Sequence, residues 1–292
     1  MILNVQRIVN RVRNYIQDPA GIQQGNSWTD AQIVDALNEE HQGLVAKCVQ
    51  SGEDYFLAKQ DVALTAGQVT VPLFDGFLYL RYLETFPVSG EPSGAIESRL
   101  IEGVSGSGSG EPAVPDAAFY YALTAEGVDL APAAAGGQTL RGWYIQAPAP
   151  LICELAASVP AADKVRFSTT GDAPNESTIL VGTKFDVVAG TGIGQQRKVT
   201  VYTASTREAT FETPFSPALD TTSKLAAIPR IPRLFHDLLT YGGAIRCLAM
   251  EKEQAGDIAA LYADRMEDFV DFIERSRTGG QRSVAPFDLD DY

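Results

Sequence analysis

Apolar positions recur at three- and four-residue spacing at both ends of the chain and lose that period in between. Val5, Ile8, Val9, Val12, Tyr15 and Ile16 mark a first helix, and Asp18-Pro19-Ala20-Gly21 ends it. Ile33, Val34, Leu37, Leu44, Val45 and Cys48 stripe a second helix. Thr29 caps that helix, and Gln32, three residues on, completes a capping box. Near the other end, Leu234, Phe235, Leu238, Leu239, Ile245 and Leu248 predict a third helix. Ile258, Leu261, Tyr262, Met266, Phe269, Val270 and Ile273 predict a fourth. Gly242-Gly243-Ala244, inside the third, offers close approach to a neighbouring element at some cost in helix propensity.

Between the helices the pattern is strand-like. Short runs rich in Val, Leu, Phe and Tyr at 54–64, 68–73 and 77–83 are separated by Ala66-Gly67 and Asp75-Gly76. Ser89 to Pro115 is irregular and holds Gly106-Ser107-Gly108-Ser109-Gly110, a flexible loop by composition. Further strands are expected at 118–123, 128–130 and 139–146, and Ala147-Pro148-Ala149-Pro150-Leu151 reads as a boundary. Residues 164–168, 177–181, 185–188, 197–203, 208–211 and 224–227 then give many short strand candidates with no helical period, the spacing of a small sandwich or barrel.

These patterns predict an α+β chain. Its N- and C-terminal helices form a helical bundle, because isolated short helices are marginal in water. A small β-rich insertion, sandwich or barrel-like, hangs from that bundle. The expected divisions are residues 1–151 (N-terminal helices and strands of the core), 152–229 (the β insertion), 230–277 (C-terminal helices completing the core) and 278–292 (an extended tail).

Composition adds limits. The chain has 292 residues, 45% of them hydrophobic, enough for one sizeable core or two smaller ones. No apolar run reaches the ~18 residues of a membrane span, and Met1 to Arg7 lacks the basic-then-apolar form of a signal peptide. Cys48, Cys153 and Cys247 stand far apart, so neither a disulfide framework nor a zinc site is expected, and reduced cysteines fit synthesis in a cytoplasm. Acidic residues number 37 against 23 basic, a net charge of −14. Gripping duplex DNA requires a basic footprint. This chain has the reverse balance, so it can meet DNA without holding it.

Several motifs invite chemistry and fail on context. Gly190-Thr191-Gly192-Ile193-Gly194 suggests a phosphate loop, but a strand-like run follows where a helix N-terminus is required, and the spacing misses GxGxxG. A tight β-turn using glycine's access to positive φ accounts for it better. Ser107 and Ser109 lack the strand and helix of a nucleophile elbow. Glu39, Glu40 and His41 are adjacent on a helix and so point about 100° apart, which reads as a polar face rather than acid–base machinery or a metal site. Only His41 and His236 are available for histidine catalysis, and no nucleophile, base and oxyanion site come together. The chain reads as non-enzymatic, with no cofactor and no metal.

Three stretches carry a family resemblance: the helical pair joined through Trp28-Thr29-Asp30 and continuing to Leu37-Asn38-Glu39-Glu40; Arg141-Gly142-Trp143-Tyr144-Ile145-Gln146 running into Ala147-Pro148-Ala149-Pro150; and the C-terminal pair with Leu239-Thr240-Tyr241-Gly242-Gly243-Ala244 and its acidic tail. In these the chain resembles the head-to-tail adaptor proteins of tailed bacteriophages. The β insertion resembles a module recurrent in phage virion proteins, through Gly190 to Arg197, Val201-Tyr202 and Asp220-Thr221-Thr222-Ser223. Many adaptors lack such an insertion, so its role is not inherited from the family.

The resemblance implies a homo-oligomeric ring, usually of about twelve copies, in the virion neck. The portal protein lies above it, a tail, nozzle or stopper protein lies below, and genome DNA passes through the lumen without specific binding. Pro286, Phe287, Asp288, Leu289, Asp290, Asp291 and Tyr292 form a candidate portal-docking tail, since an extended strand there shows one apolar and one acidic edge. Arg7, Arg11, Arg13 and Trp28 are candidate subunit contacts. Residues 89–162 hold eight acids and two bases, which suits a channel wall that repels phosphate. Another virion subunit (stopper, nozzle or baseplate) and a receptor- or glycan-binding virion protein are the rival readings.

Overall fold

A computed structural model describes residues 3–18, 28–50, 56–72, 74, 76–87, 95–98, 120–125, 127–131, 133–134, 136–171, 173–177, 179–251 and 253–278. Along the chain lie α1 (Val5–Tyr15), α2 (Asp30–Gln50), β1 (Leu57–Leu64), β2 (Thr70–Pro72), β3 (Phe77–Pro87), β4 (Ala95–Ser98), β5 (Tyr120–Leu123), β6 (Gly127–Ala131), β7 (Gln138–Gln146), β8 (Cys153–Leu155), β9 (Ser158–Ala161), β10 (Lys164–Arg166), β11 (Lys184–Ala189), β12 (Gln196–Thr203), β13 (Glu208–Phe211), β14 (Lys224–Ala227), α3 (His236–Met250) and α4 (Gly256–Thr278). The strands gather into two seven-stranded arrays.

The chain divides into two units: Phe56–Gln146, and Met1–Tyr55 together with Ala147–Tyr292. This corrects the expected fold class. A helical bundle bearing a small β insertion does not describe the chain, which is a mixed, β-rich α/β protein. The strands after residue 152 belong to the same unit as the helices, and the other unit is β structure, with no helix among its described residues. The physical reason lies in long-range pairing. β1 pairs with β7, Leu57 opposite Ile145 and Leu64 opposite Gln138, across most of that unit's sequence.

Within the Phe56–Gln146 unit the strand order is β1-β7-β3-β4-β5-β6-β2, and only β4 and β5 run parallel. Its core is built from Leu64, Val71, Leu80, Leu83, Val128, Leu130, Leu140 and Tyr144 around Phe74, the β3 pair Leu80 and Leu83 brought to one face by a register shift against β7. Tyr144 stacks on Phe74 at 5.1 Å between ring centroids.

In the other unit the order is β8-β14-β11-β12-β13-β10-β9. The two end strands are consecutive in the chain. Between them, the Ala156 N–H donates to Ser223 O and the Ala157 N–H donates to Arg166 O. One segment therefore pairs with both ends of the array and closes it into a barrel, which removes the exposed edges. Phe167, Phe185, Phe211 and Phe215 fill the interior in a chain of ring contacts. Within 177–181, expected as a strand, residues 179–181 form a turn instead, and Leu180 is buried. β8 and β9 are not among the expected strands, and Pro160 inside β9 is a residue that argues against one.

The helices of this unit pack around α3, which meets α1, α2 and α4. Val5, Ile8, Val9 and Val12 of α1 and Ile33, Leu37 and Leu44 of α2 are buried. The predicted capping box is present at α2: Thr29 Oγ1 accepts from the Gln32 N–H, and Gln32 Oε1 accepts from the Thr29 N–H.

Candidate subunit-contact surface

Amphipathicity divides α1 into two faces. Asn4 caps it by accepting from the Arg7 N–H at 2.9 Å. The valines and Ile8 face inward, leaving Arg7, Asn10, Arg11 and Asn14 exposed, the i, i+3, i+4, i+7 stripe of one helix side. The guanidinium groups of Arg7 and Arg11 meet no carboxylate among the described residues.

Arg13 has a different fate. It is 7% exposed and bridges the α1–α2 junction. Its Nη1 lies 3.0 Å from Asp18 Oδ2, and its Nη2 donates to Asp30 Oδ1 at 2.8 Å and to the Trp28 carbonyl at 2.7 Å. Asp18 Oδ2 also accepts from the Trp28 N–H. The Trp28 indole N–H donates to Glu251 Oε1 at 2.7 Å, just past the end of α3. Partial burial works to raise the Asp30 carboxyl, but the Arg13 hydrogen bond and the Lys224 charge override it and hold the group below its ordinary value. Of the four contact candidates, Arg7 and Arg11 lie on an open helix face, whereas Arg13 and Trp28 are engaged within the protomer.

The expected polar face at Glu39, Glu40 and His41 is corrected by burial. Glu39 is exposed, but Glu40 and His41 are buried. Glu40 accepts from Arg246 Nε at 3.2 Å and from the Tyr262 hydroxyl at 2.6 Å, tying α2 to both α3 and α4. Arg246 also reaches Glu39 at 2.8 Å. Burial and the neighbouring Glu40 carboxylate push the Tyr262 phenol well up. Gly242 and Gly243 of α3 admit α2: a methyl group at Gly242 would meet Glu40, and one at Gly243 would meet Leu37. His41 lies 1% exposed, and burial with the facing charges of His236 and Arg230 pushes its imidazole down to about 4. His236 is also buried, its Nδ1 accepting from the Leu3 N–H at 3.4 Å. Both histidines are buried in the core and lie near each other.

α4 is the least covered helix. Phe269 and Ile273 face inward. Asp257, Asp264, Glu267, Asp268, Asp271 and Glu274 are exposed, as is Leu261 at 48%. Arg265 is committed to Asp237 Oδ2 and Asp268 Oδ2, both at 2.9 Å, and lies over the Phe235 ring.

The loop at Gly190 to Gly194 is a turn. Gly190, Gly192 and Gly194 all have positive φ. Thr191 Oγ1 donates to Asp220 Oδ2, and Ser223 Oγ donates to Thr191 O at 2.8 Å. Hydrogen bonds from Thr191 and Thr222 hold the Asp220 carboxyl down at about 2. Gly190 to Gly194 and Asp220 to Ser223 thus form one locked corner of the barrel.

On the Phe56–Gln146 unit, Arg141 and Trp143 of β7 project on the face opposite the core. Lys59, Trp143 and Tyr82 form one cross-strand row, and Asp61, Arg141 and Glu84 form the next. Trp143 stacks on Tyr82 at 5.6 Å and donates from its indole N–H to Glu84 Oε2 at 2.9 Å, while Arg141 holds Asp61 through two bonds of 2.6 and 2.8 Å.

Among the described residues no three His, Cys, Asp or Glu side chains converge as metal ligands, and no helix is long and apolar enough to cross a membrane. The candidate docking tail, Pro286 to Tyr292, lies outside the described residues, as do Glu91, Glu102, Glu111, Asp116 and Glu126 of the acidic stretch.

A family model described as SU10 adaptor protein matches residues 3–176. No curated protein matches the chain.

Proposed function

The chain belongs to the SU10 adaptor protein family, and from that premise we propose that it forms a ring below the portal in the neck of a tailed phage. The family makes it a phage adaptor with a structural role in the virion neck. The finer reading is that copies close head to tail around a lumen, join the portal above to a tail, nozzle or stopper protein below, and let DNA pass.

The observation that carries this reading is the family match, which runs from α1 through the whole Phe56–Gln146 unit into the barrel. Physical features support it. A net charge of −14 disfavours a firm grip on phosphate. Arg7 and Arg11 on α1 and the acids of α4 leave two open helix faces on one protomer, the arrangement a heterologous, ring-closing contact requires. Residues 284–292 are proposed to order on a portal cleft as an extended segment.

Mixing the full chain with the portal of its phage and imaging the product tests this. A ring seated on the portal is expected, and loss of attachment when residues 284–292 are deleted. Failure of the full chain to bind the portal contradicts the reading, and normal attachment of the truncation dismisses the role of the tail.

A further inference from the structure

The two open helix faces match in chemistry and in spacing. On α1, Arg7 and Arg11 stand one turn apart, about 6 Å along the axis, with Tyr15 a further turn on and 38% exposed. On α4, Asp268 and Asp264 stand at the same separation, with Leu261 nearly a turn further towards the N-terminus. Laid antiparallel, the stripes put Arg7 opposite Asp268, Arg11 opposite Asp264, and the Tyr15 ring against Leu261. Asp268 already accepts from Arg265, but a carboxylate has further lone pairs for a second donor.

Both helices pack on α3, and each stripe lies on the exposed side of its helix. Tyr15 also packs edge-on against Tyr241 of its own protomer at 5.6 Å, so its outer edge is what it offers a neighbouring copy, while Arg7 and Arg11 stand open.

We propose that the α1 stripe of one copy docks on the α4 stripe of the next, and that this contact sets the register of the ring. The inference rests on the ring reading above and names the interface within it. The occupant is a second copy of this chain, because the complementary charge is on the chain itself. α1 carries no acid, and from Gly256 to Glu274 α4 carries six acids against Arg265 alone. Arg suits such a contact because its planar fork matches a carboxylate. Exposed ion pairs contribute little affinity singly. Their work here is to select the partner face, since a net charge of −14 sets an average repulsion between copies that oppositely charged faces offset.

Four full-length proteins test this on the portal of the phage, by electron microscopy and native mass spectrometry: wild type, Arg7→Glu/Arg11→Glu, Asp264→Lys/Asp268→Lys, and the chain carrying all four changes. Thermal melts establish that each variant is folded. Each double reversal should lower ring yield about tenfold or more. The fourfold chain should recover rings, and so should an equimolar mixture of the two doubles, whose faces complement each other in alternation. Rings formed as well by either double, or no recovery in a folded fourfold chain, overturn the interface and leave the ring intact. Loss in the α4 variant alone assigns that face to the portal or another protein and also overturns it. No ring from wild type overturns both the interface and the reading beneath it.

Discussion

Gly242 of α3 sits directly beneath the Glu40 carboxylate of α2: a methyl group there would lie 2.4 Å from Glu40 Cδ. The missing side chain lets Glu40 reach Arg246 and Tyr262 at once, so one buried carboxylate joins three helices.

Two Gly→Ala changes should therefore have opposite signs. In Gly242→Ala the gain in helix propensity, about 1 kcal/mol, is outweighed by displacement of the Glu40 cluster, an overpacking cost of roughly 1–3 kcal/mol. Gly43, also helical, has nothing within 4 Å of the added methyl, so Gly43→Ala should stabilise by about 0.5–1 kcal/mol. Denaturant midpoints measure both.

Arg13 is expected to dominate the stability of the α1–α2 junction. Arg13→Ala leaves Asp18 buried without the guanidinium that balances it, a loss of about 3–5 kcal/mol. Arg7→Ala and Arg11→Ala, on the exposed face, should shift stability by less than about 0.5 kcal/mol. Comparable losses at all three positions would contradict the division of α1 into a structural and an open face.

Acid should weaken the fold before its carboxylates titrate. The folded-state value of His41 is about 4 against an ordinary 6.5, so the unfolded chain takes up the proton first. Stability is then full above about 6.5 and declines as pH falls towards 4, by up to about 3 kcal/mol for a 2.5-unit difference. His236, lowered mainly by burial, adds in the same direction. Urea titrations between pH 7 and 5 should show the slope, and His41→Leu should flatten it.

The helices were legible because their signal is local. The stripe Val5, Ile8, Val9 and Val12 and the box Thr29–Gln32 each fall within a turn or two, and the structure holds both. The fold class was not legible, because it depends on which strands pair. Nothing near Asp61 names Arg141, 80 residues on, as its cross-strand partner. Glu40 and His41 misled for a related reason. Adjacent acids and a histidine look solvated, and only the glycine pair two hundred residues later shows that α3 covers them. Arg7 and Arg11 could be singled out by exposure on an amphipathic helix, whereas Arg13, two residues on, could not be told from them until Asp18 and Asp30 closed around it.

The most direct measurement is the position of the chain in the particle, read by gold-labelled antibody on intact virions in the electron microscope. Label at the junction of head and tail is predicted. Label confined to the capsid shell, the tail fibres or the distal tail tip would contradict a role in the neck.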